Sequence, residues 1–345
     1  MITVAIVNQK GGVGKTCTAS ALGAGLACRG YKVLFVDLDA QQNLSYTIGA
    51  DPRGKTIADL LQQSIDQDPG QQIGTLDAIQ HTPQGDIIAS ASSMAGADTI
   101  LADITGREYK LREILQPVKE SYDYCIIDTP PTLGTLTINA LTASDAAIAP
   151  AQAEVYSQIS LGQLYSTIKT VQRYCNPDLI FAGIVLTRYN GRAVVRREVA
   201  ERIDAAADQY GTRLYKARIR ECTALQEAAL TQQDIFSYAP RSNAAQDYNS
   251  LVEEVDYQLQ EQAMQKRIAT LTAAQKRARA KELKEEMQEV LDISLGIQTN
   301  FDGPWNALTQ EEQDYILEKQ TRLPRSYYLA ELEHRLLKES LRKKG

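Results

Sequence analysis

One stretch near the amino terminus limits the fold of this chain more than any other: an apolar segment that runs into a glycine-rich turn. Residues 3–7 are mostly apolar, and residues 8–16 are NQKGGVGKT, followed by small residues with helical spacing. Gly11, Gly12 and Gly14 allow a backbone bend in which successive N–H groups point inward and form an anion-binding nest. The amino end of the following helix adds its dipole and its free N–H groups. The stretch therefore predicts a strand, an anion-binding turn and a helix, in that order.

The Lys-Thr pair that closes this turn indicates which anion it fits. Lys15 is placed to bridge the outer phosphates of a nucleotide, and the Thr16 hydroxyl is placed to coordinate Mg²⁺. The strict pattern G-x-x-x-x-G-K-[S/T] fails, because Gln9 occupies the first glycine position and a second lysine, Lys10, precedes the double glycine. The alternative is a glycine-rich turn without a ligand. The strand, the turn, the Lys-Thr pair and the helix occur together, which favours a nucleotide-binding turn.

Short apolar runs alternate with helical patterns throughout residues 1–254. Runs such as Val33–Val36 and Cys125–Ile127 are continuously apolar, as central strands covered on both faces are. This alternation predicts βαβ units, so we expect an α/β fold with a doubly wound, mostly parallel sheet. The predicted strands are 3–8, 32–37, 86–89, 124–128, 146–150, 181–187 and 214–219. The predicted helices are 15–29, 56–65, 111–120, 136–143, 160–174 and 192–210, with a surface excursion over 66–85.

The amino-acid composition of the sequence changes near residue 255. From there to Leu291 the chain is almost free of Gly and Pro and rich in Gln, Glu, Lys, Arg and Ala. We therefore predict an all-helical extension over 255–345, with one long helix at about 250–292 and two shorter helices within about 310–341. The basic segment Lys266–Lys284 has two interpretations: an added nucleic-acid contact, or the exposed side of a dimerising or partner-binding helix.

Composition narrows the classes of function. The 37 Lys and Arg residues against 43 Asp and Glu residues give a net charge of −6 and a sequence pI near 5.2. That balance argues against a basic nucleic-acid binder, although a local basic face remains compatible with it. The sequence has no apolar run of about 18 residues, so no membrane span is predicted. Five cysteines without a CxxC pair favour a reducing, cytoplasmic compartment.

Further stretches carry a family resemblance. Residues 33–43 (VLFVDLDAQQN), 122–131 (YDYCIIDTPP), 134–141 and 238–248 (YAPRSNAAQDY) accompany the glycine-rich turn. Together they resemble the ParA/MinD superfamily of deviant Walker-A P-loop ATPases, and within it most closely the ParA/Soj partition ATPases. The resemblance covers about residues 1–254 and implies a P-loop NTPase fold.

The resemblance also implies roles for individual residues. It places Mg²⁺ at Thr16, Asp37 and Asp128, and it assigns Lys10, Lys15 and Asp39 to catalysis. Lys10 would be the signature lysine that crosses a dimer interface to the partner's nucleotide, and Asp39 would orient or activate the hydrolytic water. The ATP-binding positions would be Lys10, Gly11, Gly12, Val13, Gly14, Lys15, Thr16 and Cys17. For each carboxylate the alternative is a helix N-cap or a turn former, as is common at strand ends.

The sequence departs from the family pattern at several positions. Cys17 stands where a second Thr is usual, and Ala40 and Gln42 replace the Pro and Gly of the family's DPQGN segment. Residues 219–225 (IRECTAL) lack two arginines of the family's IPRNVRL segment. Candidate DNA-binding residues nearby are Arg188, Arg192, Arg196, Arg197, Lys216, Arg218 and Arg220. The i,i+4 spacing of Arg192 and Arg196 predicts one shared helical face, which would either contact DNA phosphates or be a solvated surface.

The resemblance implies a Mg²⁺-ATP-dependent switch ATPase that dimerises around ATP and binds DNA non-specifically. A DNA-bound ParB-like activator would stimulate slow hydrolysis, and the cycle would partition a plasmid, chromosome or mobile element. The protein would be cytoplasmic, and nucleoid-associated when ATP-bound. One alternative is a MinD-like positioning ATPase on the membrane. The last helix opposes this, because its leucines lie opposite Glu331, Glu333 and Glu339, which anionic lipid would repel. Another alternative is an ATP-gated regulator that acts through the helical tail.

Overall fold

The computed structural model describes residues 1–65, 73–300 and 310–342. Within them, one mixed sheet has the strand order β3-β4-β2-β5-β1-β6-β7-β8. Every neighbouring pair is parallel except β3 with β4, which is antiparallel. The strands are β1 (Ile2–Ile6), β2 (Val33–Asp37), β3 (Ile79–Thr82), β4 (Gly85–Ile88), β5 (Tyr124–Asp128), β6 (Ala146–Ala151), β7 (Ile180–Leu186) and β8 (Leu214–Arg218).

Helices accompany the sheet and continue beyond it. They are α1 (Lys15–Ala27), α2 (Asn43–Ile48), α3 (Ile57–Ile65), α4 (Ala97–Leu101), α5 (Lys110–Leu115), α6 (Thr135–Ala143), α7 (Ser157–Tyr174), α8 (Val194–Gln209), α9 (Ala224–Leu230), α10 (Ile235–Tyr238), α11 (Asn243–Thr270), α12 (Ala273–Asn300) and α13 (Gln310–Arg342). The α/β class with a doubly wound, mostly parallel sheet and a helical carboxyl-terminal region is confirmed.

Helix α1 packs closely against the sheet and against α11. A Cβ at Gly23 would lie 2.2 Å from the Phe35 ring of β2, and one at Gly25 would lie 2.6 Å from the Val252 side chain. Glycine is needed here because two structural elements approach closely, rather than for conformational freedom. The strands on either side of β1 are wholly buried, so their apolar runs belong to the core.

The surface excursion predicted for 66–85 is wrong at its carboxyl-terminal end, while residues 66–72 lie outside the described part. Ile79–Thr82 form the edge strand β3, which pairs with β4 in the register His81 to Asp86. His81 Nδ1 lies 2.6 Å from Asp86 Oδ1 across the pair. An edge strand covered on one side carries polar residues, so its sequence, Ile-Gln-His-Thr, resembles a loop.

The chain divides into two compact units, Met1–Val255 and Asp256–Gly345. In the second unit the single helix predicted at 250–292 is wrong, since α11 ends at Thr270 and α12 begins at Ala273. Thr272 and Gln275 form a capping box, in which Thr272 N donates to Gln275 Oε1 (2.9 Å) and Gln275 N donates to Thr272 Oγ1 (3.3 Å). The two helices predicted within 310–341 are one helix, α13. A proline inside a helix removes a hydrogen bond but does not always end the helix, and α13 continues through Pro324.

The second unit has its own apolar core, and several of its cationic side chains form ion pairs or hydrogen bonds within the unit. Met264, Ile268 and Leu283 pack with leucines of α13, including Leu336 and Leu337. Glu333 is 5% exposed and accepts ion pairs from Arg267 and Arg279, and buried Lys276 donates to Ser340 Oγ at 2.7 Å. In the described parts of the chain, no helix is long and apolar enough to cross a bilayer.

Candidate nucleotide-binding site

The carboxyl ends of β1, β5 and β2 meet at one edge of the sheet. The register of these parallel strands places Asp128 beside Ile6 of β1 on one side and beside Asp37 of β2 on the other. Ligands of open parallel sheets bind in the crevice at this edge. A cavity of about 520 Å³ opens there. Its lining includes these predicted residues: Gly11, Gly12, Gly14, Lys15, Thr16, Cys17, Asp39, Arg188 and Arg220.

The turn after β1 has the conformation that an anion-binding nest requires. Gly12 (φ +71°) and Gly14 (φ +87°) lie in the left-handed region, which strains any residue with a Cβ. Thr187 holds the turn from the β7 side, because its Oγ1 donates to Val13 O at 2.7 Å. Gly14 is the N-cap of α1, and no described side chain caps that helix. The first N–H groups of α1 are therefore available to an anion.

Thr16 and Asp128 form the innermost contact of the site. Thr16 Oγ1 donates to Asp128 Oδ2 at 2.6 Å, and buried Oδ1 has no hydrogen-bond partner among the described residues. Burial, followed by the nearby Asp37 carboxylate, raises the pKa of Asp128 to about 8. Burial lowers the pKa of the Lys15 ammonium, while the charges of Asp128 and Asp39 oppose this shift. A buried carboxylate oxygen without a partner, next to a hydroxyl, suits a hydrated divalent cation.

Asp37 is engaged in local structure. Its Oδ2 accepts hydrogen bonds from Ser45 N and Ser45 Oγ, both at 2.8 Å, and its Oδ1 accepts one from Asp39 N at 3.0 Å. Burial raises the pKa of Asp37 to about 6, although these hydrogen bonds oppose the shift. Asp37 thus joins the start of α2 to the backbone of Asp39. These contacts fit the alternative role given above for this carboxylate, that of a turn former.

The loop after β2 presents Asp39 to the cavity. Asp39 is half-buried and lines the cavity, and its Oδ1 accepts a hydrogen bond from Gln41 N at 3.0 Å. Gln42, the N-cap of α2, has φ +56°, a left-handed conformation that costs a non-glycine residue roughly 1 kcal/mol or more. The glycine usual in the family at this position would avoid that strain, so this loop carries strain beside the site.

Lys10 pairs with a carboxylate that is not among the described residues lining the cavity. Its Nζ donates to Glu154 Oε2 in the loop after β6, and Lys10 itself is not among the described lining residues either. Asn8 orients the backbone before it, because Lys10 N donates to Asn8 Oδ1 at 3.0 Å. Nothing in the local sequence signals the partnership with Glu154, which is 144 positions away.

The predicted DNA-binding residues fall into two groups: those that line the cavity and those that lie elsewhere. Arg188, which has φ +46°, and Arg220 line the nucleotide cavity, and Arg220 Nη2 pairs with Asp247 Oδ1 at 2.6 Å. Arg218 is half-buried, and burial lowers its pKa. Exposed positions away from the cavity lining are Arg192, Arg197 and Lys216.

The shared helical face predicted for Arg192 and Arg196 is wrong. Helix α8 begins at Val194, and Arg192 lies in the preceding turn, where its N–H donates to Asn190 Oδ1 at 3.1 Å. Arg196 Nη1 donates to Arg188 O at 2.7 Å. The asparagine-led turn ends the loop before the helix starts, so the i,i+4 relation does not apply.

Sequence reasoning missed other residues of the site. Tyr248 on α11 is buried, lines the cavity and lies 3.2 Å from Thr18 Oγ1 through its hydroxyl. Ser45 and Thr187 hold the two loops described above. Tyr248 belongs to a stretch that carries the family resemblance, which was a usable signal. Ser45 and Thr187 act through contacts that sequence spacing does not reveal.

We expect the Asp128 carboxylate to destabilise the ligand-free protein at alkaline pH. Its pKa of about 8 lies above the unfolded value near 3.9, so the folded state binds the extra proton and stability falls as pH rises from about 4 to 8. Asp128→Asn should therefore gain about 1–3 kcal/mol relative to wild type between pH 5.5 and 8.5. Urea unfolding at the two pH values measures this. A wild-type-to-variant difference that does not change with pH would contradict it.

A glycine-rich turn on a central parallel strand, continued by Lys15-Thr16 at a helix amino terminus and faced by Asp128, defines a P-loop nucleotide-binding protein. Residues 1–181 match the family described as AAA domain. The sporulation initiation inhibitor protein Soj of Bacillus subtilis (strain 168) is 39% identical over 256 residues, covering 73% of this chain and 97% of that protein. The chromosome partitioning protein ParA of Caulobacter vibrioides (strain NA1000 / CB15N) is 36% identical over 258 residues, covering 73% and 92%.

The fold of this chain is also similar to that of a solved structure with a bound nucleotide. Cobyrinic acid a,c-diamide synthase from Mycobacterium smegmatis, with bound ADP and magnesium, has a TM-score of 0.62 and 31% sequence identity, covering 73% of this chain and 93% of that one. The chain belongs to the Soj/ParA family of partition ATPases, and the resemblance inferred from its motifs is confirmed.

Proposed function

We propose that this protein is a Mg²⁺-ATP-dependent switch ATPase that dimerises in its ATP state, binds DNA non-specifically and partitions a DNA molecule. The observation that carries the proposal is the unpartnered, buried Asp128 Oδ1 beside Thr16 and Lys15 at the end of β5. Light scattering with ATP and with ADP, each with and without DNA, tests it. An ATP-dependent doubling of mass supports the switch, and a mass that is independent of nucleotide contradicts it.

The nucleotide would bind through the turn after β1. The backbone N–H groups of residues 11–16 and the Lys15 ammonium would hold the phosphates. Thr16 and Asp128 would hold Mg²⁺, which neutralises phosphate charge when bound. Tyr248, residues 219–223, Leu225 and Gln226 also line the cavity.

Hydrolysis would depend on the loop after β2. Asp39 lines the cavity and would accept a proton from, or orient, the attacking water. Asp37 would act as a positioning residue, because its two oxygens bind Ser45 and the Asp39 backbone. Lys10 would act on the nucleotide of a second subunit, which fits its pairing with Glu154 outside the described lining of its own chain's cavity.

Non-specific DNA binding would use exposed cations of the turn before α8, of α8 itself and of β8. Arg192, Arg197 and Lys216 are exposed, and such residues bind phosphates without reading sequence. The first 254 residues hold more acidic than basic residues, so affinity in this part of the chain would require a local basic surface. Dimerisation would present two copies of it, and linked weak sites gain avidity. A DNA-bound, ParB-like activator would then trigger hydrolysis and release.

We expect Arg192→Glu with Arg197→Glu to weaken DNA binding in the ATP state by about tenfold or more on every sequence tested. The expectation rests on losing two phosphate contacts, which should also lower the magnitude of the logarithmic salt slope by about 2. Fluorescence anisotropy with two unrelated duplexes at several salt concentrations measures both quantities. ATP binding should not change.

A matched pair on the second unit separates the two basic surfaces. Arg277 and Lys284 are exposed on α12, whereas Arg267, Lys276 and Arg279 are engaged within that unit. Arg277→Glu with Lys284→Glu should leave DNA affinity within about twofold of wild type. If this pair loses binding and the Arg192/Arg197 pair does not, the tail is the DNA-binding element.

The membrane alternative finds little support in the second unit. Leu332, Leu336 and Leu337, which would insert into lipid, are buried in the core of that unit. An amphipathic helix binds a bilayer through an apolar face that is free to insert. Co-sedimentation with anionic liposomes in ATP, compared with DNA mobility shift, separates the two functions. The regulator alternative keeps a role for the tail as a partner-binding bundle, which a tail-deleted chain would test.

A further inference from the structure

The loop after β6 holds Lys10 in a defined position. Lys10 Nζ donates to Glu154 Oε2, with 31% and 48% of the respective side chains exposed. Exposed ion pairs are weak, contributing at most roughly fivefold to an equilibrium constant. A pair of that strength can be exchanged for a stronger partner such as a phosphate, whose hydrogen bonds with a lysine are charge-assisted.

The two loops that carry this pair are joined to each other by further contacts. Asn8 Nδ2 donates to Pro150 O at 2.7 Å, and Gln152 Nε2 donates to Gly12 O at 3.0 Å. Thr187 N donates to Ala151 O at 2.9 Å while Thr187 Oγ1 donates to Val13 O, which joins β7 to both loops. These contacts preorganise the Lys10–Glu154 pair, so forming it orders little beyond the two side chains.

An exposed apolar group follows Glu154 directly. Val155 is 68% exposed, Tyr156 is 73% exposed and Ile159, in the first turn of α7, is 62% exposed. We call these three residues the apolar shoulder. Exposed apolar side chains that lie close together along the chain are typical of surfaces that a partner covers. The shoulder lies on the same loop as Glu154, so a molecule that covers it also meets Lys10.

We propose that Glu154 is a latch that holds Lys10 in its own subunit, and that a second ATP-bound copy of this chain covers the apolar shoulder while its phosphates take Lys10 from Glu154. This rests on the proposed function, in which Lys10 acts on the nucleotide of the second subunit. Charge complementarity favours this occupant, because Lys10 exchanges a carboxylate for a more highly charged phosphate group. The latch opposes dimerisation, so it sets the ATP concentration and protein concentration at which the switch turns on.

The test uses two neighbouring substitutions with opposite expected effects. Glu154→Gln removes the latch in both subunits, so the dissociation constant of the ATP dimer should fall by roughly three- to twentyfold. Tyr156→Ser removes an aromatic contact from the shoulder, so the same constant should rise by roughly tenfold or more. Analytical ultracentrifugation in ATP measures both constants. A merely structural loop would move both constants in the same direction. Glu201→Gln, an exposed glutamate on α8, is the matched control.

A double variant isolates the pair itself. In the Lys10→Ala background, Glu154→Gln should have no effect on dimerisation, because the latch has nothing to hold. With ADP and in dilute monomer, Glu154→Gln should increase the acetylation rate of Lys10 severalfold, read by mass spectrometry. Wild type that dimerises with ATP, with Glu154→Gln unchanged in both assays, overturns the latch alone. Wild type that never dimerises with ATP overturns the proposed function.

Discussion

Lys15→Ala is expected to lower ATP affinity by roughly 100-fold or more, which is about 2.7 kcal/mol. Lys15 is a cationic residue that lines the cavity next to Thr16. Its largely buried ammonium would make charge-assisted hydrogen bonds to the phosphates. Burial lowers the pKa of this ammonium in the ligand-free protein, and phosphate charge would favour its protonated form. Titration with a fluorescent ATP analogue measures the loss.

The control for Lys15→Ala must separate binding from folding, because Lys15 also offsets the charge of Asp128. Thermal unfolding of the ligand-free variant reports on folding, and Lys119→Ala is the matched substitution. Lys119 is exposed and lies beside Met1, at the amino end of β1 and away from the phosphate-binding turn. A folded Lys15→Ala protein that binds the analogue with unchanged affinity would show that the nucleotide lies elsewhere.

Asp39→Ala is expected to retain ATP and Mg²⁺ while hydrolysis slows by a factor on the order of 10² or more. Asp39 lines the cavity, whereas Thr16 and Asp128, the proposed metal ligands, keep their contact with each other. Binding and chemistry are therefore carried by different residues. The ATP dimer should persist, and a single-turnover assay with labelled ATP, run beside light scattering, measures the two effects together.

Asp39→Asn distinguishes lost charge from a collapsed loop. Its amide oxygen still accepts the hydrogen bond from Gln41 N that Asp39 Oδ1 accepts in the wild type. We expect the Asn variant to hydrolyse as slowly as the Ala variant while unfolding at the wild-type temperature. Asp208→Ala, an exposed substitution on α8, controls for surface charge. Near-normal turnover in both Asp39 variants would move the role to another group.

Strands and the phosphate-binding turn follow from local sequence because local physics specifies them. Strand β5 has its predicted bounds, Tyr124–Asp128, and β7 is shifted by a single residue. Continuous apolar runs must be covered on both faces, and glycine at positions 12 and 14 permits the left-handed backbone. Strand β3 and the helix break after Thr270 do not follow from the sequence pattern. The edge strand and the capping box each depend on a few polar residues, which resemble ordinary loop or surface residues.

Which side chains meet at the site was decided by the tertiary structure. Arg188 and Arg220, which were predicted to bind DNA, line the nucleotide cavity, because β7 and β8 end at the same edge of the sheet as β1. Two of the contacts that shape the site, Lys10 with Glu154 and Thr18 with Tyr248, join residues 144 and 230 positions apart. The sequence by itself determined the phosphate-binding turn, the central parallel strands and the family. Tertiary structure decided the partners of Lys10 and Thr18, because the packing of the sheet and its helices brings distant segments together and local patterns carry no record of that packing.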